Sequence, residues 1–128
     1  RLRDDIRRTT FFMHGTMMPS QGAEVGNPKH TITTDDAVAI LLALSSPEAL
    51  EVLGITAVAG NVPLALTLKN ARIICELAGK PDTKVFSGWD CPMARSLVTA
   101  EYVHGKTGLD GPVLPDPVMP VQDQHAVD

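Results

Sequence analysis

Apolar and polar positions fall into a regular order from residue 35 onward. DDAVAILLALSS (35–46) carries apolar residues on nearly every side of a helical wheel, which predicts a well-buried helix. Thr33 or Thr34 is placed to cap it. Asp35 and Asp36 sit in its first turn, where the positive end of the helix dipole favours negative charge. After Pro47 the run LEVLGITAVAG (50–60) brings Val52, Leu53, Ile55, Thr56, Val58 and Ala59 almost without interruption. That pattern suits a parallel strand covered on both faces, closed by Gly60-Asn61. LALTLKNARIICELAG (64–79) reads as a second helix with Leu66, Ile73, Ile74 and Leu77 on its apolar side and Gly79 as its stop. TKVFSG predicts a short strand over 84–87.

The remainder is less regular. Residues 89–123 are poor in periodic signals, and four of the ten prolines fall between Pro112 and Pro120. So long a stretch in a compact domain is more often functional than idle. HAVD (125–128) reads as the start of a helix, with His125 in its first turn. Upstream, HGTMMPSQGAEVGNPKH (14–30) mixes Gly, Pro, Asn and Ser without period and reads as loop. The Asp35-Asp36 helix should follow a strand, yet only TIT (31–33) precedes it, which is too little for a buried one. Residues 1–30 are therefore expected to be a poorly ordered extension and 31–128 the structured domain.

Helix, strand, helix and strand in this order predict an α/β layer architecture with a parallel sheet. Such sheets bind ligands at the carboxyl ends of their strands. Three features fall there: Asp35-Asp36, Gly60-Asn61 and the turn from Ser87 to Trp89.

Composition narrows the class. The chain has 128 residues, 44% of them hydrophobic and 20% charged, which fits one modest soluble domain. Its net charge of -4 argues against nucleic acid as the main partner. No apolar run approaches the ~20 residues of a membrane span. Two cysteines cannot make a disulfide framework. The start is basic, with Arg1, Arg3, Arg7 and Arg8 against Asp4 and Asp5, and it makes a poor secretory signal. A cytoplasmic location is expected. The absence of Met at position 1 points to processing or to a piece of something longer.

Each candidate carrier of chemistry has two readings. Asp35-Asp36 either complements the helix dipole or ligates a hard cation, which requires further oxygens from elsewhere. Asn61 is either a turn former or a carboxamide that donates to and accepts from sugar hydroxyls. His104, in VHGKTGLDGP, is either a pocket-lining or a surface histidine. That segment is no P-loop, because Ala100 stands where its first glycine belongs. Cys75 falls on the apolar side of the second helix and reads as core. Cys91 is assigned no role, and no G-x-S-x-G elbow is present.

The run DDAVAILLALSSPEALEVLGITAVAGNVPLALTLKNARIICELAG (35–79) resembles the inosine–uridine-preferring nucleoside hydrolases. So do VFSG (85–88), TAEYVHGKTGLDGP (99–112) and HAVD (125–128), all in order and at compatible spacings. The resemblance implies a three-layer, Rossmann-like parallel-sheet fold, present here only in its N-terminal part. It implies hydrolysis of the N-glycosidic bond of purine or pyrimidine ribonucleosides to ribose and base, and a homo-oligomeric state. It also implies a Ca2+ held mostly by carboxylates, which lowers the pKa of an attacking water while an Asp takes the proton.

By the same resemblance Asp36 matches a metal ligand, Asp35 an acid on the ribose hydroxyls, Asn61 a ribose-side asparagine and His104 a histidine near the base. The family's opening D-x-D-P-G-x-D-D is altered. Lys29 and Thr31 replace its first two aspartates, and Ile32 and Thr33 replace Pro-Gly. Thr31 stands where the calcium-binding base is expected, and a threonine hydroxyl is a weak base without charge. The nearest upstream acid is Glu24. The family's remaining ligands and its leaving-group histidine lie in a C-terminal half beyond this sequence. The chain alone is therefore expected to have little or no hydrolase activity. The alternatives are a non-catalytic nucleoside-binding or interaction module, and a non-functional fragment.

Overall fold

The computed structural model describes residues 8–13, 32–109, 111 and 113–128. The division drawn at residue 30 falls outside these residues. Among the described residues four strands and three helices alternate: β1 (Arg8–Met13), α1 (Ile32–Leu44), β2 (Glu51–Ala57), α2 (Leu64–Leu77), β3 (Val85–Ser87), α3 (Glu101–His104) and β4 (Gln122–His125). The strands form one parallel sheet in the order β1-β2-β3-β4. The expected parallel α/β architecture is present in part.

β1 supplies the strand that the sequence pattern lacked. RTTFFM pairs with β2 from Arg8↔Glu51 to Met13↔Ala57, and the register slips between Thr9 and Thr10 so that Leu53 is skipped. The bulge resets the side-chain alternation of β2. Beyond it Ile55 and Ala57 are fully buried, and Thr56 nearly so, as a strand covered on both faces requires. Leu53 stays half-exposed.

The core lies between the sheet and one layer of helices. Ala37, Ile40 and Leu44 of α1 meet Ala71, Ile74 and Cys75 of α2 over Ile55 and Val85, with Met119 closing the end. Cys75 is core, as its position on the helix wheel suggested. A parallel sheet that grows in one direction with right-handed crossovers keeps its connecting helices on one side. The opposite face holds a cleft of about 290 Å³ lined by Leu53, Gly54, Lys84 and Phe86, among others.

Several expectations at element ends are corrected. α1 begins at Ile32, so Thr33 and Thr34 lie inside the helix and do not cap it. Neither Pro nor Gly stands between Thr31 and Asp35 to stop the helix from starting early. α1 is also not buried all round, because Val38 (59% exposed) and Leu42 (67%) face away from the one layer it packs against. Leu77 is exposed too, lying one turn past the buried face of α2. HAVD does not open a helix: His125 ends β4, and a turn comes after it. Pairing with β3, through Ser87↔His125, outweighs the weak helical signal.

α2 stops as its sequence dictates. Gly79 adopts φ +68, the Gly79 N–H donates to Glu76 O, and the Lys80 N–H donates to Cys75 O at 2.9 Å. A left-handed glycine of this kind satisfies carbonyls that the last helical turn leaves open. Among the described residues no helix is long and apolar enough to cross a membrane.

Candidate functional site at the carboxyl edge of the sheet

The four described strands run parallel, so the turns after them share one edge. The turn after β2 is built first. The Gly88 N–H donates to Ala57 O at 2.8 Å, and the Ala59 N–H donates to Trp89 O at 3.0 Å, which ties the turns after β2 and β3 together. Gly88 allows this approach. A Cβ there would stand 2.7 Å from Val58 Cγ1 and 3.1 Å from Ala57 O. Asn61 comes next, with the Gly60 N–H donating to Val62 O at 3.1 Å.

Asn61 and His104 are brought together through Ala100. The Ala100 N–H donates to Asn61 O at 2.7 Å, and Ala100 O accepts the N–H of Val103 at 2.9 Å and of His104 at 3.1 Å. The single turn of α3 is thereby hung from the loop after β2. Asn61 (5% exposed) and His104 (4%) are both buried. Asn61 Nδ2 and His104 Nδ1 are shut from solvent with no hydrogen-bond partner among the described residues. A buried polar atom normally has a partner, so each marks a place where one is to be supplied. Burial also pushes the His104 imidazole below its ordinary pKa, which favours the neutral ring. The surface reading of His104 is thus excluded.

The other expected site residues are placed less completely. Asp36 lies near the start of α1, with Oδ2 buried. The backbone of Asp35 is in the same helix. The topology puts this helix start after β1, on the edge that also carries Asn61. Thr31, at the expected position of the base, lies outside the described residues. Among the described residues no three His, Cys, Asp or Glu side chains gather as a metal site would require. A Ca2+ needs six or more converging oxygens. The described donor set does not fit one.

Two features of this region escaped the sequence reading. Trp89 packs edge-on against His125, ring centroids 5.3 Å apart, at the ends of β3 and β4. Asn70, in the middle of α2, is buried, and its Nδ2 donates to Thr107 O at 2.9 Å. Asn is a poor residue for a helix interior, so its presence on the packed side of an apolar helix was a signal open to notice.

Comparison with known proteins agrees with this fold. Residues 31–128 match the family model described as inosine-uridine preferring nucleoside hydrolase. An uncharacterized protein, C1683.06c, of Schizosaccharomyces pombe is 49% identical over 94 residues, 73% of this chain and 30% of its own. The pyrimidine-specific ribonucleoside hydrolase RihA of Photobacterium profundum is 48% identical over the same shares of the two chains. Among solved structures, a purine-preferring ribonucleoside hydrolase from Gardnerella vaginalis superposes with a TM-score of 0.66 and 34% identity. That match covers 73% of this chain and 30% of that one. The plant nucleoside hydrolase PpNRh1 gives a TM-score of 0.56 at 36% identity, over 68% of this chain and 29% of its own. This chain thus spans about 30% of the length of the relatives it matches. From residue 31 to residue 128, it belongs to the inosine–uridine-preferring nucleoside hydrolase family.

Proposed function

We propose that the corner formed by Asn61 and His104 is the part of a ribonucleoside site that faces the sugar and the glycosidic bond. We further propose that these 128 residues do not by themselves hydrolyse that bond. The observation that carries the first part is the pair of buried nitrogens without partners among the described residues, Asn61 Nδ2 and His104 Nδ1. Asn61 Nδ2 can only donate, so its partner is an acceptor such as a ribose hydroxyl oxygen. His104 Nδ1 donates or accepts according to its tautomer, and a neutral ring can do either. By the family resemblance Asp35, whose backbone lies at the helix start on the same edge, is the acid assigned to the ribose hydroxyls.

The second part rests on the donor set. Hydrolysis needs a water made nucleophilic by a base or a cation. The position expected to provide the base is Thr31, whose hydroxyl is weak in that role. The described residues gather no cluster able to hold Ca2+. Substrate binding without turnover is the reading that both observations support.

Titration calorimetry with inosine and with uridine, with and without Ca2+, tests the binding. Wild-type chain should bind at least one of them, and Asn61→Ala should weaken that binding about tenfold, as expected for one lost buried hydrogen bond. No heat of binding with either nucleoside would sink the first part. Release of free base at the rate of a complete hydrolase would sink the second.

A further inference from the structure

His104 is the last residue of a single helical turn, and such a turn has little rigidity of its own. It leads directly into a reverse turn, Gly105-Lys106-Thr107-Gly108, in which Gly105 (φ +71) and Gly108 (φ +76) are both left-handed. The turn's own bond, from the Gly108 N–H to Gly105 O, is long at 3.4 Å. On its N-terminal side His104 is held through Ala100 to Asn61. On its C-terminal side the turn is pinned by Asn70, whose Nδ2 reaches out of α2 to donate to Thr107 O at 2.9 Å. Asn70 is 6% exposed, so its amide is buried and depends on this bond for a partner, whereas Thr107 lies at the surface and the bond as a whole is partly buried.

We propose that Asn70 is a positioning residue for His104: by holding Thr107 O it fixes the turn that presents the imidazole at the carboxyl edge. This rests on the reading of the Asn61–His104 corner as a nucleoside site. Three other residues of α2 tie to the same loop further along: Lys69 pairs with Asp116, Arg72 donates to Met119 O, and Glu76 accepts the N–H groups of Val118 and Met119. These hold the loop to the helix but lie far along the chain from His104. A generic loosening of the loop and a specific displacement of His104 are therefore separable.

The experiment is NMR of the imidazole resonances of the full 128-residue chain, each assigned by its own His→Gln variant, together with inosine titration. Asn70→Asp keeps the size and shape of the side chain but turns the donor into an acceptor that faces Thr107 O. Asn70→Ala removes it. Both should move the His104 ring resonances and weaken inosine binding about tenfold. Lys69→Met, which breaks the tie to Asp116 on the same helix and loop, should leave both unchanged. His104 resonances that stay at wild-type positions in Asn70→Asp would overturn the proposal, as would an equal displacement in Lys69→Met. Asn70→Asp decides the matter if Asn70→Ala does not fold. A wild-type chain that binds neither inosine nor uridine removes the site reading, and the ring resonances still decide the role of Asn70.

Discussion

The carboxylate of Glu76 binds the backbone of Met119: Oε1 accepts the Met119 N–H at 2.7 Å and the preceding Val118 N–H at 2.6 Å. One turn earlier on α2, Arg72 Nη1 donates to Met119 O at 3.2 Å, so both backbone polar groups of that residue are held. The clasp delivers the Met119 side chain, 5% exposed, into the core beneath a segment with no regular structure.

Glu76→Ala should cost about 1 kcal/mol, since it removes the charged acceptor of the partly buried Met119 N–H, while the exposed Val118 N–H turns to water. Glu76→Gln retains an oxygen acceptor and should cost less. Urea denaturation followed by circular dichroism measures both. Equal midpoints for Glu76→Ala and wild type would show that the clasp contributes nothing to stability.

Gly88→Ala should destabilise the fold by about 1–3 kcal/mol through overpacking. The new methyl would meet a short, branched side chain at 2.7 Å and a backbone carbonyl at 3.1 Å, neither of which can swing away. The same change at Gly54 should be milder, because the nearest atom there is the far edge of the Phe86 ring, at 2.8 Å. Thermal melts of the two variants rank them.

The two cysteines should separate cleanly in alkylation. Cys91 is exposed, whereas burial pushes the Cys75 thiol up to about 11. At pH 8 roughly one Cys75 in a thousand would be thiolate, and the thiolate is the reactive form. Iodoacetamide should therefore label Cys91 in the native chain and Cys75 only after denaturation. Mass spectrometry of labelled peptides reads this directly, and native labelling of Cys75 would contradict its place in the core.

His104 should make stability fall on acidification. Its folded pKa lies below the ordinary 6.5, so as pH drops through 6.5 the unfolded chain takes up a proton that the folded chain refuses. The stabilising share of the neutral ring is complete above that pH and is lost below it. Urea midpoints at pH 7.5 and pH 5.5 should differ more for wild type than for His104→Asn. Equal differences would mean that His104 titrates as freely when folded as when unfolded.

The middle of the fold was legible in the sequence, and its margins were not. β2, α2 and β3 carry enough apolar residues at the right period to be read directly. β1 (RTTFFM) begins with Arg and two threonines amid a basic stretch, so its strand character shows only through its pairing with β2. β4 (QDQH) has no apolar residue at all, and it exists because β3 offers an edge. At the site, Asn61 and His104 were each recognisable, yet their junction runs through the backbone of Ala100, which no side-chain pattern encodes. The partner of Asn70 was hidden for a similar reason: it is a carbonyl 37 residues away.

Each described strand pairs only with strands adjacent to it in the chain, and the sheet widens in one direction from β1 to β4. Growth in that order needs no gap to be held open for a later arrival. As the chain leaves the ribosome, each described strand follows the neighbour it pairs with. Synthesis from the N-terminus favours such vectorial assembly. The short, polar β4 is then the last of the described strands to dock.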